Sequence, residues 1–302
     1  MAKKKFYRPI LYGIFVALRA IFWPLPHRFG FVFAGFVGSA AFHLIGRERR
    51  KTLDHLAVAF PRLSSDELRK LGARTFRNYG YTVAELARVE KSTARFAPLV
   101  SIEGREHFDT ALARGRGVIA LTAHFGNWEI LGGYLSLMGY PGSVIARRIY
   151  YGPYDRMLVE LRSKMGLKTI YRDESPREAL KALKENRVLG IVADQDVQTV
   201  DGVFVDFFGR PAFTPSAPAR LALRTGAPII PCMIVREGLR HRIVIEPPVE
   251  LSRSGDEEKD ILENTQKWVL VQERFIRQYP HLWVWNHKRW KTAPKQVIYS
   301  LS

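Results

Sequence analysis

The 302-residue chain predicts an α/β fold, a sheet flanked by helices, preceded by an N-terminal helical segment associated with a membrane. Three observations predict it. Two aromatic-rich apolar runs precede residue 46, a charged stretch of helical period follows, and short apolar runs alternate with amphipathic stretches from residue 100 onward.

The first two runs, Pro9 to Trp23 and Phe29 to Ile45, are each shorter than the roughly 20 residues a transmembrane helix needs. Arg19, Pro24 and Pro26 interrupt them. The expectation for residues 1–46 is a membrane anchor, either one tilted span or an interfacial helical hairpin. Lys3, Lys4 and Lys5 before it and Arg47, Arg49, Arg50 and Lys51 after it suit the anionic lipids of a cytoplasmic leaflet. A signal peptide cut near G-S-A-A at 38 to 41 would carry Arg19 inside its apolar core, which argues against cleavage.

The remainder, 47–302, reads as one domain with a helical entry region over 47–98. There Leu53, Leu56, Ala57 and Phe60 recur at helical spacing up to Pro61. Then S-S-D-E-L opens another helix, capped by Ser64 or Ser65 with Asp66 and Glu67 in its first turn. The strands expected after it are V-I-A-L-T-A, S-V-I-A, K-T-I-Y, L-G-I-V-A, P-I-I-P-C-M-I-V and R-I-V-I-E. Helices are expected over Ser175 to Glu185, over Ala217 to Thr225 before Gly226, and from about Asp256 to Tyr279. The last carries Ile261, Leu262, Thr265, Trp268, Val269, Gln272 and Phe275 on one side. No internal repeat or low-complexity linker interrupts the chain.

The totals narrow the function. A single cysteine, Cys232, excludes an internal disulfide and reads as a buried strand residue. A formal charge of +18, from 47 Lys plus Arg against 29 Asp plus Glu, predicts anionic partners: membrane phospholipid, nucleic acid or acidic proteins. Nucleic acid is disfavoured because no binding motif accompanies the charge.

In open α/β sheets ligands bind beyond the carboxyl ends of strands, and chemistry-bearing residues follow three of the apolar runs. The first set is A-H-F-G-N-W-E at 123 to 129. His124 and Glu129 would be rotated about 140° apart on one helix. They can meet if His124 lies in the turn before a helix and Glu129 in its first turn, where the acid would fix the imidazole tautomer for general-base work. A histidine bonded to backbone, beside an ordinary first-turn acid, is the plainer alternative. No G-x-S-x-G elbow supplies an enzyme nucleophile, so the attacking group would be a substrate hydroxyl. No metal is expected at His124, because His27, His43, His55, His107, His241, His281 and His287 share no ligand spacing with it.

The second set, V-A-D-Q-D at 192 to 196, places Asp194 and Asp196 in a D-x-D pattern. That pattern could hold a divalent ion against a sugar nucleotide, which keeps a metal-dependent glycosyltransferase as the alternative function. One of these acids could instead assist His124 or shape its pocket. The third set, I-A-R-R at 145 to 148, gives Arg147 and Arg148, which could pin a phosphate or remain solvated.

Taken in order, several blocks resemble the bacterial late acyltransferases of lipid A biosynthesis and the related phosphatidylinositol mannoside acyltransferases. They are R-R-K-T-L-D-H-L-A-V-A-F-P at 49 to 61 with S-S-D-E-L and F-R-N-Y-G, then A-H-F-G-N-W-E, then I-V-A-D-Q-D. G-V-F-V-D-F-F-G-R-P-A-F-T-P-S-A-P-A-R-L-A at 202 to 222, T-G-A-P-I-I-P at 225 to 231 and W-V-W-N-H-K-R-W-K-T-A-P at the end complete the set. The resemblance implies a glycerolipid acyltransferase-like mixed sheet on the cytoplasmic face of the inner membrane. It also implies an acyl carrier protein or coenzyme A thioester as co-substrate with no further cofactor. The acceptor implied is a membrane glycolipid hydroxyl, foremost that of a lipid A precursor.

By the same resemblance His124 is the base and Glu129 its orienter, while Arg148, Asp194, Asp196 and Arg210 lie by the substrates. Two departures bear on the acceptor: Asp206 stands where many members have proline, and R-R-I-Y at 147 to 150 replaces the usual arginine-proline pair. Thioester chemistry fits this reading, since an activated donor needs only a deprotonated alcohol and donors for the carbonyl oxygen. The backbone amides near Gly126 and Asn127 are the expected donors. Phe204, Phe207, Phe208 and Phe213 could line an acyl groove or be ordinary core.

Overall fold

The structure is a computed structural model that describes residues 7–88, 99–140, 142–172 and 175–294. Lys3, Lys4 and Lys5, with the ends of the expected anchor and domain, lie outside the described residues.

Helices α1 (Tyr7–Phe22) and α2 (His27–Leu44) occupy the two apolar runs, and α3 (Gly46–Ala59) and α4 (Ser65–Leu86) the charged region. Ser64 caps α4 reciprocally: its Oγ accepts from the Glu67 amide, while Glu67 Oε2 accepts from the Ser64 amide. Helices α2 and α4 cross closely because glycine lies at the crossing. A Cβ on Gly80 would stand 2.0 Å from the Ala34 carbonyl oxygen, and one on Gly38 2.3 Å from that of Phe76. No single described helix is long and apolar enough to cross a membrane. Residues 28–44 and 46–59 meet that test only as a pair, and they are bent by 89°.

Nine strands follow among the described residues: β1 (Val100–Glu103), β2 (Val118–Thr122), β3 (Gly142–Ala146), β4 (Leu167–Tyr171), β5 (Val188–Val192), β6 (Gly202–Phe207), β7 (Arg210–Pro215), β8 (Ile229–Glu237) and β9 (Arg240–Ile245). Seven form one sheet in the order β1-β9-β8-β2-β5-β3-β4. From β8 to β4 the neighbours run parallel, and the antiparallel β8–β9 hairpin reverses the edge, so the sheet is mixed. The six apolar runs expected as strands are all present. β1 and the β6–β7 hairpin were not anticipated. Phe208 (φ 57°) and Gly209 (φ 74°) close that hairpin with two left-handed residues, as a type I′ turn requires.

The connecting helices are α5 (Arg105–Leu112), α6 (Trp128–Leu137), α7 (Gly152–Lys164), α8 (Ser175–Lys184), α9 (Ala217–Thr225) and α10 (Glu257–Gln278). On α10 the expected face is buried except Leu262, which is exposed. The core layer between sheet and α10 gathers Trp268, Trp283 and Trp285 with Phe207 and Phe208. Those two phenylalanines are therefore core, and Phe204 packs edge-on against Phe213 at 5.5 Å. None of the four lines the cavity described below. Cys232 is a fully buried strand residue whose thiol burial holds protonated.

Candidate active site

Sheet register brings the site together. β2 and β5 are parallel neighbours with Thr122 opposite Val192, so the residues two positions beyond each pair, His124 and Asp194, leave the sheet side by side. The His124 Nδ1 lies 2.6 Å from Asp194 Oδ1, and the His124 amide donates to Oδ2 at 2.9 Å. The indole N–H of Trp283 donates to the same Oδ2 at 2.7 Å. Asp194 is 2% exposed. Burial alone would favour its neutral form, but the imidazole and these N–H donors hold the carboxyl well below the usual carboxylate range. A carboxylate can only accept, so Nδ1 of His124 carries the hydrogen and Nε2 carries the lone pair.

Glu129 does not take this role. It sits in the first turn of α6, as expected, but its two oxygens are bound by Arg162 of α7, Nε at 2.9 Å and Nη2 at 2.6 Å. Burial works against the guanidinium charge, yet Glu129 keeps the Arg162 pKa above its ordinary value. The expected orienter of His124 is thus corrected to Asp194, because strand register supplies a carboxylate that the helix start does not.

Gly126 and Asn127 also differ from expectation. The Gly126 amide donates to Leu282 O at 2.9 Å, and its left-handed backbone (φ 58°) presses against the Ile234 carbonyl, where a Cβ would lie 2.0 Å away. Asn127 is fully buried, caps α6 through Ile130 N at 3.3 Å and donates to Glu85 Oε2 at 2.8 Å. Neither residue lines the cavity. They shape the turn that presents His124 rather than offering amides to a substrate. Behind them, Glu85 of α4 pairs with Arg236 and His241, all nearly inaccessible to solvent, joining the entry helix to the sheet.

Asp196 is taken up elsewhere. Its oxygens accept from the amides of Lys291 and Thr292 and from the Thr292 hydroxyl at 2.7 Å, tying down the last described segment. Asp194 and Asp196 consequently serve different partners instead of converging on one ion, and no cluster of three or more candidate metal ligands occurs among the described residues. Arg148 stacks over Tyr171 at 3.8 Å. Arg210 stands exposed at the β6–β7 turn, away from the cavity described below.

Residues that sequence reasoning did not single out complete the site. Gln195 Nε2 is 3.0 Å from His287 Nε2 and nearly equidistant from the two ring nitrogens of His124, at 3.2 and 3.0 Å. Such equidistance puts the amide over the imidazole face, leaving the in-plane lone pair of Nε2 open. His287 faces His124 with ring centres 4.9 Å apart, and burial first, then the neighbouring imidazole, pushes its pKa down to about 4. The terminal W-V-W-N-H block therefore folds back onto the turn that carries His124: Val284 N donates to His124 O at 3.0 Å.

His124, Glu129, Arg162 and Gln195 share the wall of a cavity of about 350 Å³. Its inner end is apolar, formed by Leu131, Leu135, Val144, Leu158, Leu167 and Val188. An imidazole held by a buried carboxylate on the wall of a largely apolar cavity, at the carboxyl edge of a mixed sheet, can take a proton from a bound hydroxyl and makes a candidate general-base site in an α/β protein. The chain belongs to the bacterial lipid A biosynthesis acyltransferase family, whose model matches residues 2–292. It is similar to a phosphatidylinositol mannoside acyltransferase of Mycobacterium tuberculosis H37Rv, 30% identical over 212 residues, 68% of this chain and 66% of the relative. Against a Mycolicibacterium smegmatis protein of the same name it is 33% identical over 50% of both chains. The match thus spans less than two thirds of these relatives' length. A lipid A biosynthesis lauroyltransferase of Escherichia coli K12 is 27% identical over 273 residues, 86% of this chain and 85% of the relative.

Proposed function

We propose that the protein is an O-acyltransferase that moves a fatty acyl chain from a thioester onto a hydroxyl of a membrane glycolipid, foremost a lipid A precursor. The observation that carries this is the His124–Asp194 contact with Nε2 open to an apolar-ended cavity. The acceptor hydroxyl gives its proton to Nε2 as its oxygen bonds the thioester carbon. Asp194 stabilises the imidazolium so formed, general-base help worth about 10² to 10⁴-fold. The tetrahedral intermediate then expels the thiolate, and the imidazolium returns the proton to sulfur, leaving an ester and a free thiol. The Gln195 amide, anchored by His287, is the donor placed for the developing oxyanion.

The donor is an acyl carrier protein or coenzyme A thioester, and the basic surface suits either acidic partner. The N-terminal helices seat the enzyme on the cytoplasmic face of the inner membrane. Ile10, Ile14 and Ile21 of α1 and Phe29, Val32, Phe33 and Phe36 of α2 are exposed, the last four at spacings that share one helix face. An apolar helix face of this kind beside basic residues lies in the lipid interface. The relatives named as lipid A and phosphatidylinositol mannoside acyltransferases support the reading.

The test is to incubate membranes containing the protein with labelled acyl carrier protein and coenzyme A thioesters, and to identify the acylated lipid by mass spectrometry. Transfer to a glycolipid hydroxyl is expected with the native chain and not with His124→Ala. Undiminished transfer by the variant rejects the assigned base.

A further inference from the structure

A second cavity, of about 570 Å³, lies between α1 and the 147–154 segment. It meets the first at Arg147 and Ile149, which line both. Its far wall is α1, through Tyr12, Ile14, Phe15 and Leu18. Ile14 is half exposed and continues the apolar surface of that helix outward. The near wall is held in place. Asp155 accepts from the Ile149 amide at 2.7 Å and from the Tyr171 hydroxyl at 2.5 Å, and Tyr154 packs against Tyr12 and Phe15. Arg147 stands where the two cavities adjoin, and Arg148 lines the second alone, stacked over Tyr171 at 3.8 Å.

We infer that this second cavity takes a hydrocarbon chain of the acceptor lipid, with the acceptor's anionic headgroup at Arg147 and Arg148 and its hydroxyl directed through the junction to His124. The inference rests on the proposed acyl transfer. Two-lipid chemistry needs two apolar sites meeting at one base, since the donor chain and the acceptor's own chain are present together when the ester forms. The first cavity follows the strands back from His124, lined along β5 by Val192, Gly190 and Val188, which suits a chain delivered by a soluble carrier. The second opens beside the exposed face of α1, which suits a chain that never leaves the bilayer. An apolar chain gains free energy in proportion to the area it removes from water, so seating one also positions its headgroup. Arg147 at the junction and Arg148 on the wall of the second cavity supply the charge that an anionic sugar-phosphate head requires.

The experiment uses the full chain in membranes. Phosphatidylinositol mannoside and an under-acylated lipid A, each with a diazirine at the tip of one chain, are photolysed beside a diazirine-tipped coenzyme A thioester, and the labelled peptides are sequenced. Acceptor label is expected on the α1 peptide containing Tyr12 to Leu18 and on the segment Tyr150 to Tyr154, with donor label on the inner wall around Leu135 and Leu167. In parallel, Leu18→Trp, which fills the cavity, is expected to raise acceptor KM by about tenfold, with donor KM unmoved. Acceptor label confined to the first cavity, or spread over the α2 face as for general bilayer contact, overturns the inference while the native chain still transfers. Failure of the native chain to acylate either glycolipid overturns the acyl-transfer reading itself.

Discussion

The Nδ1 of His124 and the Oδ1 of Asp194 are 2.6 Å apart, although 70 residues separate them in the chain. This contact fixes both the tautomer and the plane of the base. Asp194→Asn keeps the shape but presents the ring with a neutral amide that no longer stabilises the imidazolium. The comparable substitution in a serine-protease triad costs about 10⁴-fold in kcat, so a fall of about 10² to 10⁴-fold is expected here with near-native circular dichroism. A kcat within a few-fold of the native value would remove Asp194 from the mechanism.

Glu129 and Arg162 form a separate unit. Their side chains are 12% and 14% exposed, so deleting one leaves a mostly buried charge unpaired, at a cost of about 3 to 5 kcal/mol. Glu129→Ala and Arg162→Ala should each lower the melting temperature, and the double variant should recover part of the loss. A double-mutant cycle read by urea denaturation gives the coupling, expected at about 1 to 3 kcal/mol. Simple additivity would show that the pair is not coupled in the folded protein.

Acid should weaken the fold through Glu85. Burial opposes its ionisation, but Arg236 and His241 hold its carboxyl below the usual range in the folded state. Its contribution is complete above the unfolded carboxyl pKa, near 4.3, and is lost as pH falls further toward the folded value. Glu85→Gln should be less stable at pH 7 and should show a shallower decline of unfolding free energy below about pH 4. Parallel curves for the two proteins would contradict this assignment.

Gln195→Ala should lower kcat by about 10² to 10³-fold, the range seen when one oxyanion donor is removed, and should leave donor KM nearly unchanged. Because burial keeps His287 neutral down to about pH 4, its Nε2 remains an acceptor for the Gln195 amide across the working range. A variant that raises KM alone would make Gln195 a binding residue instead.

Replacing Phe29, Val32 and Phe36 together by Ser should abolish co-sedimentation with anionic vesicles while leaving the α2–α4 contact intact, since these side chains point away from it. Binding by the native chain should weaken with salt, as the basic flanks are screened over about 10 Å at 0.1 M. Salt-independent binding of the triple variant would locate the lipid contact elsewhere.

Much of the sheet was legible because buried parallel strands read as continuous apolar runs, and the residues just past them mark the ligand edge. His124 was found by that logic. Its partner stayed open between Glu129 and one of Asp194 and Asp196, because the choice depends on the pairing of β2 with β5, which leaves no local trace. Arg162, on a helix two elements later, captured the nearer acid. Gln195 lay inside a motif noticed only for its carboxylates. The amide of Gly126 looked available from its place at a helix start, and only the return of Leu282 shows that it is occupied. The β6–β7 hairpin escaped because its turn uses Phe208 at a positive φ, a residue that gives no turn signal.

The return of residues 282–292 carries one more consequence. A fragment ending before Pro280 would keep every strand of the sheet, together with His124, Asp194 and the inner apolar cavity. It would lack the Trp283 indole on Asp194, the His287 ring that anchors Gln195 and the Thr292 clasp on Asp196. Such a fragment could bind a fatty chain and still fail at proton transfer, so capture of the donor and competence to react are separable along the polypeptide.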